Sequence, residues 1–306
     1  MSLATSSYRP PYILTNIALA EKEPYEYVSY PSGRGERYSG KSGYFTIVQP
    51  SRYMRYSYVT PDYTVGSMTY DRALSYTEIQ QQNRYVGIHF KNNGNNGQLL
   101  RVFPDTEREY SRGFNDINAA ASGSAMVVCS LPEAKYYNPD INRDIKIGIA
   151  KQFYKNHVIK NGWFFSQTDD GSGYVAIKPS KGEISGFEAE GNAISYLLFD
   201  KVNVPIVMQA GSRSEYGSFE AFMDKVNNAE FLWESENAFS YTPVGVGDKI
   251  TFYTDNSVHR TAGKELALES IFIVKSPYLT SVRNSGAVYI KDTHNSSLVL
   301  DFNLEG

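Results

Sequence analysis

Arginine and tyrosine side chains are interleaved between residues 52 and 85, and together they suggest a binding chemistry. The group contains Arg52, Arg55, Arg72 and Arg84 together with Tyr58, Tyr63, Tyr70 and Tyr85. A guanidinium donates two parallel hydrogen bonds to a carboxylate, so the group predicts a site for an acidic sugar such as a uronate. A tyrosine phenolate could also remove the proton next to that carboxylate, which is the β-elimination route. The alternative is a solvated sheet face with cation–π pairs.

A second candidate is His157, which lies in the segment QFYKNHVIKNGW close to Tyr154 and Trp163. A histidine beside aromatic rings is typical of a general base next to a sugar-binding platform. A surface histidine with satisfied hydrogen bonds is the alternative. The candidate glycan-binding residues are therefore Tyr58, Tyr63, Arg72, Arg84, His157 and Trp163.

One segment matches a nucleotide-binding motif in its sequence pattern alone. Residues 35–42, GERYSGKS, fit the phosphate-loop pattern G-x-x-x-x-G-K-[ST]. A phosphate loop needs a buried strand before it and a helix after it, so that backbone N–H groups face the phosphates. Here a proline-interrupted stretch precedes the motif and a predicted strand, residues 44–48, follows it. The match indicates a glycine-rich loop and no nucleotide site.

No metal or other cofactor is expected. The four histidines, residues 89, 157, 259 and 294, are too scattered for a structural zinc site. Residues 169–172, DDGS, begin like a calcium loop, but Ser180 occupies the twelfth position, where that loop needs an acidic residue. This segment therefore predicts a hairpin turn. The single Cys129 cannot form an internal disulfide and is predicted to be a buried core residue, with a nucleophile as the alternative.

Composition narrows the class of protein. The net charge of −3 over 306 residues lacks the basic excess of a nucleic-acid-binding surface, and no apolar run reaches the ~18 residues of a membrane span. Tyrosine is abundant, with 25 copies against 16 Phe and 2 Trp, which suits both sheet packing and sugar recognition. The first three and last two residues resemble vector remnants and there is no signal peptide, so we expect a fragment of a longer protein.

Alternating apolar and polar residues, separated by Gly, Pro, Asn and Asp clusters, predict a long series of strands. The predicted strands are residues 44–48, 53–60, 63–69, 79–90, 98–103, 125–131, 144–150, 163–168, 174–178, 202–207, 239–241, 249–253, 269–274, 279–282, 286–291 and 297–302. Residues 183–191 are expected to form either a shorter strand or a loop. Residues 125–131 are apolar throughout, which predicts a strand buried on both faces. A helix over residues 141–149 is the alternative to the strand at 144–150.

Only one helix is predicted. Phe219, Phe222, Met223 and Val226 recur at i, i+3, i+4 and i+7, and Ser218 precedes them as a potential N-cap. Residues 4–43 are expected to be irregular apart from a short edge strand at 26–30, and residues 108–121 are expected to form a loop. The predicted class is all-β, a large antiparallel sandwich. Its expected divisions are a lead-in at 1–43, a sandwich at 44–243, and C-terminal strands at 244–306 that either continue it or form a small second sandwich.

Four segments resemble the heparinase-like and hyaluronate-lyase-like polysaccharide lyases of bacteria. They are GSRSEYGSFEAF at 211–222, YVTPDYTVGS at 58–67, NGWFFSQTDDGSGYVAI at 161–177 and SSLVLDF at 296–302. Those proteins combine a helical toroid with a C-terminal β-supersandwich. The resemblance therefore implies the supersandwich fold of galactose mutarotases and hyaluronate lyases. The toroid, which carries most of the catalytic residues in that family, is absent here, and no catalytic motif of the lyases falls on this chain.

The resemblance implies a sandwich that binds or walls in a polysaccharide or oligosaccharide, acidic ones included, and that supports an upstream toroid of the parent chain. It also implies a periplasmic or extracellular location. Two alternatives remain open at this point. One is a self-sufficient glycan-degrading enzyme that uses Tyr, His and Arg on a sheet face, and the other is a structural or adhesive surface protein.

Overall fold

A computed structural model shows a chain built almost entirely from antiparallel strands, which confirms the all-β sandwich class. The structure describes residues 12–19, 23–31, 33–35, 46–48, 52–71, 86–91, 99–105, 117–131, 144–190, 194–201, 203–255 and 257–303. Its helices are α1 (Tyr12–Leu19), α2 (Arg213–Tyr216) and α3 (Phe219–Asn227), with a single 3₁₀ turn at Lys151–Phe153 in the described part.

The strands follow one another through the described chain with short connections. The first thirteen are β1 (Tyr25–Ser29), β2 (Gly33–Gly35), β3 (Thr46–Val48), β4 (Tyr53–Val59), β5 (Tyr63–Tyr70), β6 (Gly87–Phe90), β7 (Leu99–Asp105), β8 (Ile117–Ser122), β9 (Ala125–Ser130), β10 (Asp144–Ala150), β11 (Tyr154–Lys160), β12 (Trp163–Thr168) and β13 (Gly173–Pro179). The remainder are β14 (Ile184–Glu190), β15 (Ile194–Phe199), β16 (Ile206–Ser212), β17 (Phe231–Trp233), β18 (Ala238–Tyr241), β19 (Ile250–Tyr253), β20 (Arg260–Thr261), β21 (Lys264–Glu265), β22 (Phe272–Lys275), β23 (Leu279–Val282), β24 (Ala287–Lys291) and β25 (Ser297–Asp301).

The largest sheet has twelve strands in the order β14-β15-β10-β7-β6-β5-β4-β1-β22-β23-β24-β25. Strand β1 lies inside this sheet, because Val28 is opposite Tyr56 of β4 on one side and Lys275 of β22 on the other. The prediction of an edge strand here was wrong. The C-terminal strands β22–β25 extend the same sheet through β1.

A six-stranded sheet, ordered β11-β12-β13-β16-β9-β8, packs against the large sheet and is buried on both faces. In β9, Met126 and Val128 face the core between the two sheets, whereas Val127 and Cys129 face a second core. Cys129 is fully buried, as its apolar surroundings predicted. The prediction that this strand is buried on both faces is confirmed, because alternate side chains enter different cores.

Helix α3 and a five-stranded sheet, β17–β21, cover the outer face of the six-stranded sheet. Ser218 caps the helix by accepting a hydrogen bond from the Ala221 N–H at 3.1 Å. Phe222 is fully buried, with its ring 5.6 Å from Tyr174 and 5.2 Å from Tyr216. A Cβ on Gly211 would lie 2.8 Å from the Phe222 ring, so glycine allows the helix to approach the sheet.

Several local expectations were wrong. The described residues contain three α-helices where one was predicted, and the additional ones are α1 and α2. Helix α1 has no acidic residue in its first turn and no basic residue in its last, so the end signals of a helix are missing. Its Asn16 contacts the C-terminal region, donating to the Asp292 carboxylate at 3.3 Å. Residues 4–43 are therefore not uniformly irregular, since α1, β1 and β2 all fall within them.

Strand positions also required correction. The expected loop at 108–121 contains β8 from Ile117 onward, where small buried residues carry no visible alternation. Residues 144–150 form a strand and no helix. The strand expected at 202–207 is β16, which continues through Ser212, so the chain turns after that residue. The expected strand at 79–90 is seen as β6 at Gly87–Phe90, and residues 79–85 lie outside the described residues.

Candidate functional site

The β4–β5 hairpin positions the central tyrosines. Side chains alternate between the two faces along β4, so Tyr56 and Tyr58 both lie on the inner face of the large sheet. Tyr58 pairs with Glu26 of β1 on one side and with Val65 of β5 on the other. The turn between the strands is fixed by Thr60, whose hydroxyl accepts from the Tyr63 N–H at 2.9 Å. The hairpin thus presents three tyrosines in neighbouring positions at one end of the sandwich.

The opposite side of the site is the junction of β16 with α2. Ser212 and Glu215 form a capping box, in which the Glu215 carboxylate accepts from the Ser212 N–H at 2.9 Å. The other carboxylate oxygen accepts from the Tyr63 hydroxyl at 2.8 Å. We refer to the residues gathered here as the tyrosine–glutamate site, which consists of Glu26, Tyr56, Tyr58, Tyr63, Glu215 and Tyr216.

Hydrogen bonds hold the outer tyrosines to surrounding loops. The Tyr56 hydroxyl donates to Glu26 at 2.7 Å and accepts from the Gly123 N–H at 2.8 Å. Tyr216 donates to the Val244 carbonyl at 2.7 Å. Gly123 has a φ of +54°, and a Cβ there would lie 2.0 Å from the Val246 carbonyl oxygen. Glycine is therefore required at position 123, where the β8–β9 turn contacts the loop that contains Val246.

Tyr58 differs from its neighbours in its hydrogen bonding. Only 4% of the residue is exposed, and its ring lies 6.3 Å from that of Tyr63. Burial raises its pKa, and the charges of Glu215 and of Glu26, its cross-strand neighbour, raise it further. Its hydroxyl makes no hydrogen bond to any residue that the structure describes. A buried ring with an unbonded hydroxyl is a position at which a ligand group can be accepted.

Burial raises the pKa of Tyr56 and of Tyr63, and the adjacent carboxylates, Glu26 and Glu215 respectively, raise it further. Burial likewise raises the pKa of Tyr216, with Glu215 adding to the effect. These side chains are consequently neutral phenols that donate hydrogen bonds. A phenolate base would need a depressed pKa. Lys225 lies over the Tyr216 ring, with its Nζ 5.2 Å from the ring centroid, yet the pKa of Tyr216 is still raised.

The site is acidic. Burial raises the pKa of Glu215 despite its hydrogen bonds to Tyr63 and Ser212. Ser214 of α2 donates to the Asp62 carboxylate, which adds a further acidic group at the rim. Among the described residues, Glu26, Asp62 and Glu215 take part in no ion pair. The arrangement can accept hydrogen bonds from hydroxyl or ammonium groups.

The arginines of the predicted group do not join the described site. Arg55 lies on the opposite face of β4 from Tyr56 and Tyr58, where its Nε donates to the Tyr53 hydroxyl at 3.1 Å. Arg52 pairs with Asp71 and with Glu269, the latter at 3.1 Å. Arg72 and Arg84 lie outside the described residues.

His157 and Trp163 lie apart from the tyrosines and from each other. His157 is exposed on β11, where its Nδ1 is 3.1 Å from the Ser166 hydroxyl and its ring stacks on Phe164 at 5.5 Å. Burial lowers the pKa of His157. Trp163 is only 2% exposed and packs in the second core, with its ring 5.6 Å from Phe231. The structure therefore brings Tyr58 and Tyr63 together, whereas His157 and Trp163 lie outside the tyrosine–glutamate site.

Four members of the site were not predicted: Glu26, Tyr56, Glu215 and Tyr216. The spacing Ser212-x-x-Glu215 is the signature of a capping box, and this signal could have placed Glu215 at a helix start. Nothing local indicated that Glu26 would lie opposite Tyr58, because that pairing depends on the sheet order.

The remaining motifs behave as structural elements. Asp170 accepts hydrogen bonds from Thr168 and Ser172 within the β12–β13 turn, which confirms the predicted hairpin. A strand, β3, follows the phosphate-loop-like motif, most of which lies outside the described residues. Within the described ranges, no cluster of three or more His, Cys, Asp or Glu could hold a metal ion, and no helix is long and apolar enough to cross a bilayer.

The chain was compared with protein-family models, with curated proteins and with solved structures, and none of the three comparisons gives a match.

Proposed function

We propose that this chain is a carbohydrate-binding β-sandwich of a polysaccharide-lyase-like protein, and that it binds its glycan at the tyrosine–glutamate site. In the parent protein, it would form one wall of a cleft and support an upstream toroid. The observation that carries the proposal is the Tyr58 hydroxyl, which belongs to an almost fully buried residue opposite Glu26 and has no hydrogen-bond partner among the described residues.

The chemistry of the site suits sugar hydroxyls. Carboxylates accept hydrogen bonds from neighbouring hydroxyls of a pyranose, and a phenol can donate to or accept from the same ring. Because Tyr58 and Tyr63 are almost completely buried, they would contribute hydroxyl groups and little stacking area. The Glu215 and Tyr63 pair is already hydrogen bonded, which preorganises the site and reduces the entropy lost on binding.

A self-sufficient lyase has less support. The β-elimination route needs a base of suitable pKa near a group that neutralises the substrate carboxylate. The described tyrosines have raised pKa values and acidic neighbours. Incubating the chain with uronate polysaccharides and following the ultraviolet absorbance of an unsaturated product tests this alternative. Turnover by this chain alone would replace the binding proposal.

Binding can be tested with an immobilised glycan array followed by calorimetry on the ligands retained. Tyr58→Phe removes one hydroxyl that has no described partner, so its effect on folding should stay within about 0.5 kcal/mol. We expect this variant to bind at least about tenfold more weakly, which corresponds to about 1.4 kcal/mol. Tyr289→Phe, at a half-exposed tyrosine of β24, is the matched control and should bind like wild type. An array that retains no glycan would overturn the proposal.

A further inference from the structure

We propose that two copies of this chain bind each other through strand β25, and that the two β25 strands pair antiparallel about a two-fold axis at Val299. The large sheet then continues from one copy into the other. This inference is independent of glycan binding, because β25 is separated from β1, which carries Glu26, by three strands of the sheet.

Strand β25 is an edge without the usual protection against pairing. It is the last strand of the large sheet, and its outer edge pairs with no strand that the structure describes. Edge strands are commonly protected by proline, by lysine or by a β-bulge. The ladder of edge strand β14 is interrupted between Ile184 and Gly186, and that of edge strand β11 between Lys155 and Val158. Strand β25, SLVLD, contains no proline or lysine, and its ladder with β24 is regular.

Exposed apolar side chains lie on both faces of the sheet at this edge. Val299 and Tyr289, which are paired across the β24–β25 ladder, share one face and are 49% and 50% exposed. Leu300 and Phe302 lie on the other face and are 39% and 72% exposed. A partner resting on one face would leave the other set in water. A strand added to the edge lies beside both sets, which favours pairing at the edge.

The backbone groups on the outer edge of β25 suit a second β25. The Phe302 N–H donates to the Gly286 carbonyl at 2.7 Å, so Phe302 and every second residue before it direct their N–H and C=O groups toward β24. Those of Ser297, Val299 and Asp301 consequently point outward. An antiparallel copy centred on Val299 places Val299 opposite its counterpart and Ser297 opposite Asp301. Each of these pairs can exchange both N–H···O=C hydrogen bonds.

Charge favours this register. Lys291 of β24 pairs with Ser297, and both Lys291 and Asp301 are exposed. With Val299 on the axis, Asp301 of the second copy lies beside Ser297, on the same face as Lys291 and about 10 Å away at the backbone. The small serine leaves room for the two side chains to form an ion pair, and the two-fold axis creates a second one. Centring the pair on Asp301 would instead place like charges opposite each other.

Crosslinking of Val299→Cys tests both the association and its register. In the proposed pair the two Cα atoms are about 5.5 Å apart, which is within the range of a disulfide. We expect oxidation to give a covalent dimer on a non-reducing gel. Tyr289→Cys is the matched control, because it lies on the same face but three strand spacings, about 14 Å, from its counterpart. The native Cys129 is fully buried and cannot contribute.

Sedimentation equilibrium measures the dimer without a crosslink. We expect Val299→Lys, which places two ammonium groups at the axis, to raise the dimer dissociation constant at least about tenfold. Leu232→Lys, at an exposed apolar position of β17, should leave it unchanged. Lys291→Asp and Asp301→Lys should each raise it about fivefold, and combining them should restore the wild-type value, because the ion pairs re-form with reversed charge. Circular dichroism confirms that each variant folds.

Three results would overturn the proposal. The first is a wild-type chain that stays monomeric up to the highest soluble concentration while Val299→Cys gives no covalent dimer, which is also the result expected if another part of the chain covers β25. The second is a dimer that Val299→Lys does not weaken, since it would use a different surface. The third is equal crosslinking of Val299→Cys and Tyr289→Cys, which the proposed register does not allow.

Discussion

At the scale of single residues, the site depends on which partner each tyrosine hydroxyl has. Tyr56 and Tyr63 donate to carboxylates, Tyr216 donates to a backbone carbonyl, and Tyr58 has no described hydrogen-bond partner. Three of these tyrosine hydroxyls thus hold the site together, whereas the hydroxyl of Tyr58 is available to a ligand. This division explains why Tyr58 is the substitution expected to change binding with little effect on folding.

Glu215 makes stability depend on pH. Burial raises its pKa above the ordinary value of 4.5, so the folded protein holds this proton more tightly than the unfolded chain. The associated stability is complete below the unfolded pKa and is lost as the pH rises through the folded value. We expect Glu215→Gln to gain stability relative to wild type as the pH rises above 4.5.

Urea unfolding of both proteins at several pH values measures this difference. Glutamine can preserve the local structure, because its amide oxygen can accept from Ser212 while its amide N–H donates to the Tyr63 hydroxyl. Glu220→Gln, on an exposed position of α3, provides the comparison for removing a negative charge alone. If Glu215→Gln and Glu220→Gln follow the same pH dependence, the burial of Glu215 has no effect on stability.

Part of the site could be predicted from the sequence. Tyr58 and Tyr63 were identified because tyrosines and arginines are interleaved between residues 52 and 85, a pattern that is local. The arginines were grouped with them on proximity in sequence, but the period of two along β4 places Arg55 on the other face. Glu26 contributes only through pairing of β1 with β4, and such pairing is not encoded in any short segment.

At the scale of elements, helix α3 shows the balance between local signals and packing. Ser218 supplies its cap, and Phe219, Phe222 and Val226 are buried against the six-stranded sheet. Both features could be predicted from the sequence, because a capping residue stands at a fixed distance from the helix and apolar residues repeat at helical spacing. Helix α1 was missed because it has no such end signals and is supported by contacts such as that of Asn16 with Asp292.

Removing the two supports of α3 should have different costs. Ser218→Ala loses one cap hydrogen bond and should lower the free energy of unfolding by about 1 kcal/mol. Phe222→Ala leaves a cavity among Phe165, Tyr174 and Tyr216 and should cost about 3–5 kcal/mol. Chemical unfolding monitored by fluorescence measures both. Ser235→Ala, at an exposed serine, should change stability by less than about 0.5 kcal/mol. Equal losses for Ser218→Ala and Phe222→Ala would contradict this account.

At the scale of the whole molecule, strand β1 connects the N-terminal and C-terminal parts of the large sheet. Ser29 pairs with Arg55 of β4 and with Val274 of β22. Although the alternating pattern predicted nearly all of β22–β25 locally, it could not show that these strands continue a sheet begun at β1. Strand order depends on contacts between distant segments, which a single sequence does not display.

Val28→Pro tests the connection. Proline lacks the backbone N–H that an interior strand donates to its neighbour, so we expect a loss of about 3 kcal/mol or more. Limited proteolysis should then cleave between the five-stranded sheet and β22 faster than in wild type. Val28→Thr retains both the N–H and the β-branched shape and serves as the control. Should the two variants unfold at the same denaturant concentration, β1 would not couple the two parts of the sheet.

The interior position of β1 also affects how the chain reaches its native state during synthesis. Val28 leaves the ribosome long before Lys275, which it faces across the ladder. Closing so long a loop carries an entropic cost before any contact offsets it. Until β22 is made, one edge of β1 has open backbone groups that can pair with other nascent chains. The largest sheet is therefore completed only after β22–β25 have been made, and we expect the yield to depend on protecting that edge in the interval.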